Sequence, residues 1–220
     1  MTTPSRRHSL VLLVVPALAA TLLSACAPLI VGGAAVGGAL VATDRRTSGA
    51  QLEDEGIELR AASRIRQNLG ERVHVNATSY NRVVLLTGEV PTPQDKALVE
   101  QVVSRVDNVR SIINELGVSG NTSLTSRSSD ALITGKVKAL MVDAKDLFAN
   151  SFKVVTERGV VYLMGVVTQR EATRGTEVAR SVSGVQKVVR AFEIISEDEL
   201  QRLQTQPPKP APGASGPTRP

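Results

Sequence analysis

Val83-Val84-Leu85-Leu86-Thr87-Gly88 and Val160-Val161-Tyr162-Leu163-Met164-Gly165 are two hexapeptides that match position for position. Both are nearly all apolar, which predicts strands that are buried on both faces. Each follows a short strand candidate and a turn, Asn81-Arg82 in the first case and Glu157-Arg158-Gly159 in the second. The chain therefore contains an internal repeat, and the repeat decides which fold is expected.

The segments around each hexapeptide repeat in the same order. Before the first one, apolar residues recur at helical spacing, and the same pattern precedes the second one. These helical positions are Ile57, Ala61, Ile65 and Leu69 in the first copy, and Ile133, Val137, Leu140 and Met141 in the second. A second helix and a third strand follow each hexapeptide. The prediction is an α+β fold of two tandem αββαβ modules, each with a small three-stranded mixed sheet and two helices.

The module boundaries follow from the repeat. The first module covers residues 54–118 and the second covers 130–196, with a Gly/Ser/Thr/Asn linker at 119–129. Modules of this size are marginally stable alone, so we expect the two to lean on each other. Gly88 and Gly165 end the central strands, where glycine permits a positive φ or a close backbone approach. Both are predicted to be structural residues.

Cys26 is the single cysteine, and it closes the run Leu23-Ser24-Ala25-Cys26. A basic start and an apolar run precede it, which together predict a signal peptide over residues 1–25. The four-residue ending resembles the bacterial lipobox. That resemblance implies a diacylglyceryl group on the thiol and an N-acyl group on the new amine, with no other cofactor. The alternative is an ordinary secretory signal that leaves Cys26 as a free thiol.

Two segments fall outside the modules. Residues 26–53 are predicted to be the lipidated N-terminus and a glycine-rich tether. Residues 197–220 are predicted to be a polar, proline-rich disordered tail, because such a segment cannot bury enough apolar area to offset ordering. Residues 196–204, which overlap the start of this tail, are also compatible with a short polar helix.

Composition excludes several classes of function. Loss of residues 1–25 removes Arg6 and Arg7 but no acid, so the net charge falls from +5 to +3. Tryptophan is absent, and there are two Tyr and three Phe, so no nucleic-acid partner is expected. His74 is the single histidine after cleavage, which argues against a transition-metal site. His74 alternates with Val73 and Val75 on a predicted strand, which favours a solvent-facing histidine over a catalytic one. We therefore expect that the protein is not an enzyme.

The two αββαβ units, with their Val-x-Leu-x-Gly strands, resemble a pair of BON domains. Together with the lipobox and the run Ala42-Thr43-Asp44-Arg45-Arg46-Thr47, the chain up to Ile195 is similar to the dual-BON outer-membrane lipoproteins. The resemblance implies a periplasm-facing, lipid-anchored protein associated with outer-membrane integrity and cell division. Ala27 is consistent with that location, because an Asp after the cysteine resembles an inner-membrane retention signal.

The resemblance also implies binding of anionic phospholipid through the first helix of the second module. If Ile133, Val137, Leu140 and Met141 form its core stripe, Leu132 lies roughly 125° from the stripe's centre. The predicted lipid-binding residues are Leu132, Gly135, Lys136, Lys138 and Ala139. The family can carry tryptophan at the helix start, and Leu132 occupies that position here. The alternative interpretation is a non-enzymatic scaffold that docks on envelope machinery, such as an outer-membrane assembly complex, and uses the lipid only for localisation.

Overall fold

The structure, a computed structural model, describes residues 44–120 and 124–205. Both modules form here, each with the predicted order of elements. The first module comprises α1 (Ser48–Leu69), β1 (His74–Tyr80), β2 (Val83–Val90), α2 (Pro93–Ser104), β3 (Ser111–Asn114) and β4 (Gly117–Val118). The second comprises α3 (Leu124–Asp143), β5 (Lys153–Glu157), β6 (Val160–Thr168), α4 (Gln169–Arg180), β7 (Lys187–Ile195) and α5 (Glu197–Thr205). Short 3₁₀ turns at Gly70–Arg72 and Ala149–Ser151 precede β1 and β5.

The two sheets have the same topology. β1 pairs antiparallel with β2, while β3 and β4 pair parallel with the other edge of β2. In the second module β5 pairs antiparallel with β6, and β7 pairs parallel with β6 along its whole length. The hexapeptide strands β2 and β6 are therefore central, as their apolar composition predicts. The α+β class and the mixed sheets are confirmed.

Three apolar clusters build the core. One lies between α1, α2 and the first sheet, and another lies between α3, α4 and the second sheet. The third cluster contains residues of both sheets, including Tyr80 and Leu85 from the first and Tyr162 and Met164 from the second. The helix-free faces of the two sheets therefore pack against each other, and this packing buries both faces of β2 and β6.

Charged side chains add contacts between the modules. Lys153 Nζ lies 2.7 Å from Glu58 Oε1 and donates to the Ser79 carbonyl. Arg110 Nη2 lies 2.6 Å from Glu193 Oε2. These exposed pairs contribute little free energy individually, but together with the shared apolar cluster they connect the two modules along the sheet interface.

Two helices begin earlier than the sequence predicts. α1 begins at Ser48 rather than near Asp54, because the Thr47 side chain accepts a hydrogen bond from the Ala50 N–H and caps the helix. α3 begins at Leu124, inside the predicted linker, rather than near Asp130. The polar residues in that segment have low helix propensity, so the sequence does not predict a helix there. They are helical because they extend a helix that is packed against the second sheet.

The third strand of the first module is interrupted, and the predicted tail begins with a helix. The Asn114 side chain accepts the Leu116 N–H, which breaks the predicted strand between β3 and β4. Residues 197–205 form α5, in agreement with the short helix considered for this segment and not with a disordered tail, because Leu200 is buried in the cluster between the sheets. The remainder of the predicted tail, residues 206–220, lies outside the described residues, as do the predicted signal peptide and the tether as far as residue 43.

Candidate functional site

Contacts on the inner face of α3 fix the rotation of this helix about its own axis. Ile133, Val137 and Met141 are buried in the helix-side core of the second module. Asp130 accepts hydrogen bonds from the backbone N–H groups of the turn at 158–159, at 2.7 and 2.8 Å. Because both apolar and polar contacts act on this face, the opposite face of the helix has a defined set of exposed residues.

That outer face combines apolar, small and cationic residues. Leu132 is 66% exposed, in agreement with the predicted orientation of the helix. The other predicted lipid-binding residues are also exposed, namely Gly135, Lys136, Lys138 and Ala139. A Cβ at Gly135 would contact nothing within 4 Å, so the surface around Leu132 is smooth there. The predicted residues therefore lie on one accessible surface, and their contact with lipid stays a prediction.

The structure corrects one core assignment on α3 and adds one residue to its outer face. Leu140, predicted to belong to the core stripe, is 41% exposed, because the stripe runs through Met141 and continues towards Ala144 instead. Val142 is 69% exposed and was not predicted. It lies about 20° from Gly135 around the helix at 100° per residue, so helical spacing alone was a sufficient signal for it.

The two lysines give this face a positive region. Within the described part of the chain, neither Lys136 nor Lys138 forms an ion pair with a carboxylate. Asp143, at the end of α3, is exposed and carries the opposite charge. The two cationic side chains therefore lie along the second half of the helix, with Lys136 one turn after Leu132.

The corresponding helix of the first module has a different outer face. On α1, Leu52 and Leu59 are exposed, and Leu59 is 74% exposed. Glu55 and Glu58 stand beside Leu59 in an open groove that the edge strands β1 and β5 also line. This second apolar face is thus flanked by Glu55 and by Glu58, whose charge is paired with Lys153, whereas the face on α3 is flanked by lysines.

Gly88 and Gly165 do not end the central strands as predicted, because β2 continues to Val90 and β6 to Thr168, but both glycines occupy positions with no room for a side chain. Gly88 has φ of 108°, and a Cβ there would collide with the His74 carbonyl oxygen. At Gly165 a Cβ would collide with the Ser151 carbonyl oxygen, without a positive φ. The backbone too close for a side chain at the glycine is therefore that of the edge strand β1 in the first module and that of the 3₁₀ turn before β5 in the second.

Other candidate sites have less support in the structure. In residues 44–120 and 124–205 no cluster of His, Cys, Asp and Glu has the arrangement of a metal site. His74 begins β1 and is half-buried. None of the helices in these ranges is both long and apolar enough to span a bilayer. Cys26, the predicted lipidation site, lies outside the described residues.

Comparison with protein families accounts for both modules. Residues 54–120 and 129–196 each match the BON domain. The chain belongs to the BON domain family. The two matched segments agree with the two αββαβ units seen in the structure, so the repeat consists of two BON domains, hereafter BON1 and BON2.

The chain is similar to several known proteins. The chain is 37% identical over 175 residues to the outer membrane lipoprotein DolP of Haemophilus influenzae, covering 79% of this chain and 90% of that protein. It is 31% identical to a 21 kDa hemolysin of Actinobacillus pleuropneumoniae, over 69% of this chain and 79% of that one. A structure of CdsD, a structural protein of the type III secretion system of Chlamydia trachomatis, shares 14% identity over 72% of this chain and 99% of that chain, with a TM-score of 0.28.

Proposed function

We propose that this protein is a periplasm-facing lipoprotein of the outer membrane, anchored through lipid on Cys26, which binds anionic phospholipid through α3 of BON2. In this role it supports outer-membrane integrity and performs no catalysis. The similarity to an outer membrane lipoprotein supports the location. The observation that carries the lipid contact is the outer face of α3, where exposed Leu132 and Val142 stand beside Lys136 and Lys138.

The chemistry of this face fits the surface of an anionic bilayer. An exposed leucine and valine can enter the boundary between headgroups and acyl chains, while lysines remain at headgroup level. Gly135 and Ala139 lie between them and have no side chain long enough to hold the helix away from the surface. Leu132 supplies apolar area but lacks the polar end that tryptophan has at membrane interfaces.

The expected affinity is low for a free protein and sufficient for an anchored one. Each lysine contributes ~1 kcal/mol near an anionic surface, and burial of one leucine contributes roughly 1.5–3 kcal/mol. A total of about 4 kcal/mol corresponds to a dissociation constant near 1 mM. Because a lipid anchor confines the protein at the membrane with an effective concentration of ~1 mM, such a contact responds to the local lipid composition.

The test is an NMR titration of the mature chain, residues 26–220, carrying Cys26→Ser so that no lipid is attached. Phosphatidylglycerol micelles are expected to shift the amide signals of residues 130–142, and phosphocholine micelles are not. Leu132→Glu is expected to weaken the phosphatidylglycerol affinity at least tenfold, because a carboxylate replaces the inserted side chain. Raising the salt concentration should also weaken binding, since exposed charges are screened.

Leu59→Glu is the matched control for this titration. Leu59 is an exposed leucine on the equivalent helix of BON1, and it stands beside Glu55 and Glu58 instead of lysines. The control variant should bind phosphatidylglycerol as the unmodified chain does. Equal binding by Leu132→Glu and the unmodified chain would reject the lipid-binding proposal.

The second candidate is a scaffold that docks on other envelope proteins. The observation that favours it is the face of α1, where Leu52 and Leu59 are exposed beside acidic residues. An acidic surrounding repels anionic lipid but suits a basic protein partner. If Leu59→Glu impairs outer-membrane integrity in cells while Leu132→Glu does not, the scaffold becomes the preferred function.

A further inference from the structure

The segment Asp44–Thr47, here called the strap, connects the start of the described fold to α1. Although it directly precedes BON1, its first arginine is bound to BON2. Arg45 Nη1 and Nη2 each lie 2.7 Å from an oxygen of Glu171, and Nη1 also donates to the Val166 carbonyl at 2.9 Å. The Arg45 side chain is 7% exposed and that of Glu171 is fully buried. This is a bidentate, desolvated ion pair, the strongest geometry available to these groups.

Arg45 is attached to a rigid point of BON2. Glu171 is the third residue of α4, and its carboxylate also accepts the Thr168 N–H at 2.9 Å in a capping box. Burial would raise the pKa of Glu171, but the hydrogen bond from Arg45 and that from the Thr168 N–H lower it below its ordinary range. The carboxylate is therefore ionised, and the end of the strap is held where α4 begins.

The next residue is attached to BON1. Arg46 Nη1 lies 2.7 Å from Asp54 Oδ2, and its guanidinium lies 4.0 Å from the centre of the Tyr80 ring. Asp44 accepts from the same guanidinium at 2.7 Å. Two consecutive arginines thus bind different BON domains, and the strap crosses the boundary between them.

The strap also lies beside the end of the candidate lipid-binding helix. Arg45 Cζ lies 5.8 Å from the centroid of the Phe148 ring, at the outer limit of a cation–π contact. Phe148 follows α3 by five residues and is 52% exposed. The Arg45 side chain, one residue after the start of the described fold, therefore lies beside the loop that follows α3.

We infer that Arg45 is a positioning residue that holds the root of the tether, meaning the start of the strap at Asp44, beside Phe148. Phe148 then extends the lipid-contact surface of α3 towards the membrane in which the protein is anchored. This inference rests on the proposed function. The 17 residues between Cys26 and Asp44 can span up to about 60 Å, so the anchor alone does not select which side of the protein meets the bilayer. A root held beside Phe148 favours the side that carries Val142 and α3.

The first experiment locates the root of the tether. A nitroxide label at Thr43→Cys, in the mature chain with Cys26→Ser, should broaden the amide signal of Phe148 strongly. The matched control is the amide of Gly159, the residue just before β6. It lies seven residues from Val166 and so about 23 Å from the strand residue that Arg45 contacts. Its signal should be unaffected.

The strap variant is the pair Arg45→Met with Glu171→Gln. Removing both charges leaves no uncompensated buried ion, and glutamine can still complete the capping box. Broadening at Phe148 should fall at least threefold, while the fold remains intact by its amide spectrum. Arg45→Lys should retain part of the broadening, because a single ammonium can still reach Glu171. Unchanged broadening in the paired variant would overturn the positioning role of Arg45.

The second experiment measures lipid contact at Phe148. Phe148→Ser in the unlipidated chain should weaken binding to phosphatidylglycerol micelles about threefold to tenfold, and Leu203→Ser, at another exposed apolar residue on α5, should not. In the lipidated chain on nanodiscs with spin-labelled headgroups, signals of Val142 and Phe148 should broaden more than that of Gly159. The paired strap variant should lose this difference.

The outcomes separate this inference from the proposed function. If Leu132→Glu abolishes binding but Phe148→Ser binds normally, Phe148 is outside the contact surface and the inference fails while the proposed function stands. If Leu132→Glu binds normally, the proposed function fails. If Leu132→Glu and Phe148→Ser both weaken binding, and the paired variant loses the orientation, both are supported.

Discussion

The first helices of the two BON domains are alike on their inner faces and different on their outer faces. Asp54 on α1 accepts N–H bonds from the turn at 81–82, and Asp130 on α3 accepts the same bonds from the turn at 158–159. In each domain this contact attaches the helix to the hairpin below it. The shared feature is therefore the device that builds the fold.

The outer faces of the two helices differ in the charged residues beside their exposed leucines. α1 presents Leu59 beside Glu55 and Glu58, whereas α3 presents Leu132 beside Lys136 and has Lys138 nearby. An outer face does not contribute to the core, so its composition is free to differ between two copies of one fold. In the proposed function, this difference in charge is the reason why anionic lipid binds α3 and not α1.

The largest expected effect comes from removing the aspartates. Asp54 accepts from the Ser79 hydroxyl at 2.6 Å, from two backbone N–H groups and from Arg46. Asp54→Ala leaves these donors without that partner and should lower the free energy of unfolding by about 4 kcal/mol. Asp130→Ala should cost about 2 kcal/mol, since Asp130 accepts the two backbone N–H bonds of its turn and has no strap arginine beside it in the described contacts.

Urea unfolding of the mature chain with Cys26→Ser measures both values. Asp107→Ala, at an exposed aspartate, is the control and should change stability by less than about 0.5 kcal/mol. Equal losses for Asp54→Ala and Asp130→Ala would contradict the expectation that the added contacts with Ser79 and Arg46 make Asp54 the more important aspartate.

The glycines within the central strands, Gly88 and Gly165, provide a second comparison. Gly88→Ala introduces both a backbone collision and an unfavourable positive φ, and it should cost about 3 kcal/mol. Gly165→Ala introduces the collision alone and should cost about 2 kcal/mol. Thermal unfolding measures both, with Gly120→Ala as the control, because a Cβ there has open space. A larger loss at Gly165 than at Gly88 would show that φ is not the deciding factor.

The smallest expected effect concerns pH. Burial, together with the charges of Glu89 and Asp130, raises the pKa of Glu157 above its ordinary value of 4.5. Its contribution to stability is thus present below pH 4.5 and is lost as the pH rises through the raised value. Asp54 and Glu171 have lowered pKa values, because hydrogen bonds to their charged forms outweigh burial. Their contributions are present above their ordinary values and are lost in acid.

Glu157→Gln should therefore stabilise the protein at pH 7, by about 0.5 kcal/mol, and should leave the loss of stability below pH 4.5 in place. Urea unfolding at a series of pH values between 3 and 8 measures this. Glu71→Gln, at an exposed glutamate, is the control and should follow the unmodified chain. If Glu157→Gln is less stable than the unmodified chain at pH 7, the ionised carboxylate of Glu157 stabilises the fold and the prediction is wrong.

Most of the fold was predictable because the signals are local and repeated. The hexapeptides predicted the central strands, and helical spacing predicted the inner faces of α1 and α3. The starts of these helices were placed too late, since Ser48 and Leu124 lie in polar segments where caps and packing decide. Leu140 was assigned to the core because Leu140 and Met141 are adjacent apolar residues at the edge of the stripe. Spacing alone does not tell which of them is covered by the elements packed against α3.

The candidate site was predictable in part for the same reason. The exposure of Leu132 follows from its angle to the core stripe, and Val142 could have been found in the same way. Phe148 could not, because it follows the helix in a loop that has no periodicity. Nor does any pattern in the sequence connect Phe148 with the strap.

The sequence by itself determined two BON domains, their central strands and the lysine-flanked face of α3, because these depend on spacing within short segments. The tertiary structure alone decided that the helix-free sheet faces meet and that α5 closes over their junction. It also decided that Arg45 binds Glu171, 126 residues away. Such a pair forms only once the two sheets have packed, because their packing brings the start of α4 to the strap and excludes the water that would otherwise solvate both charges.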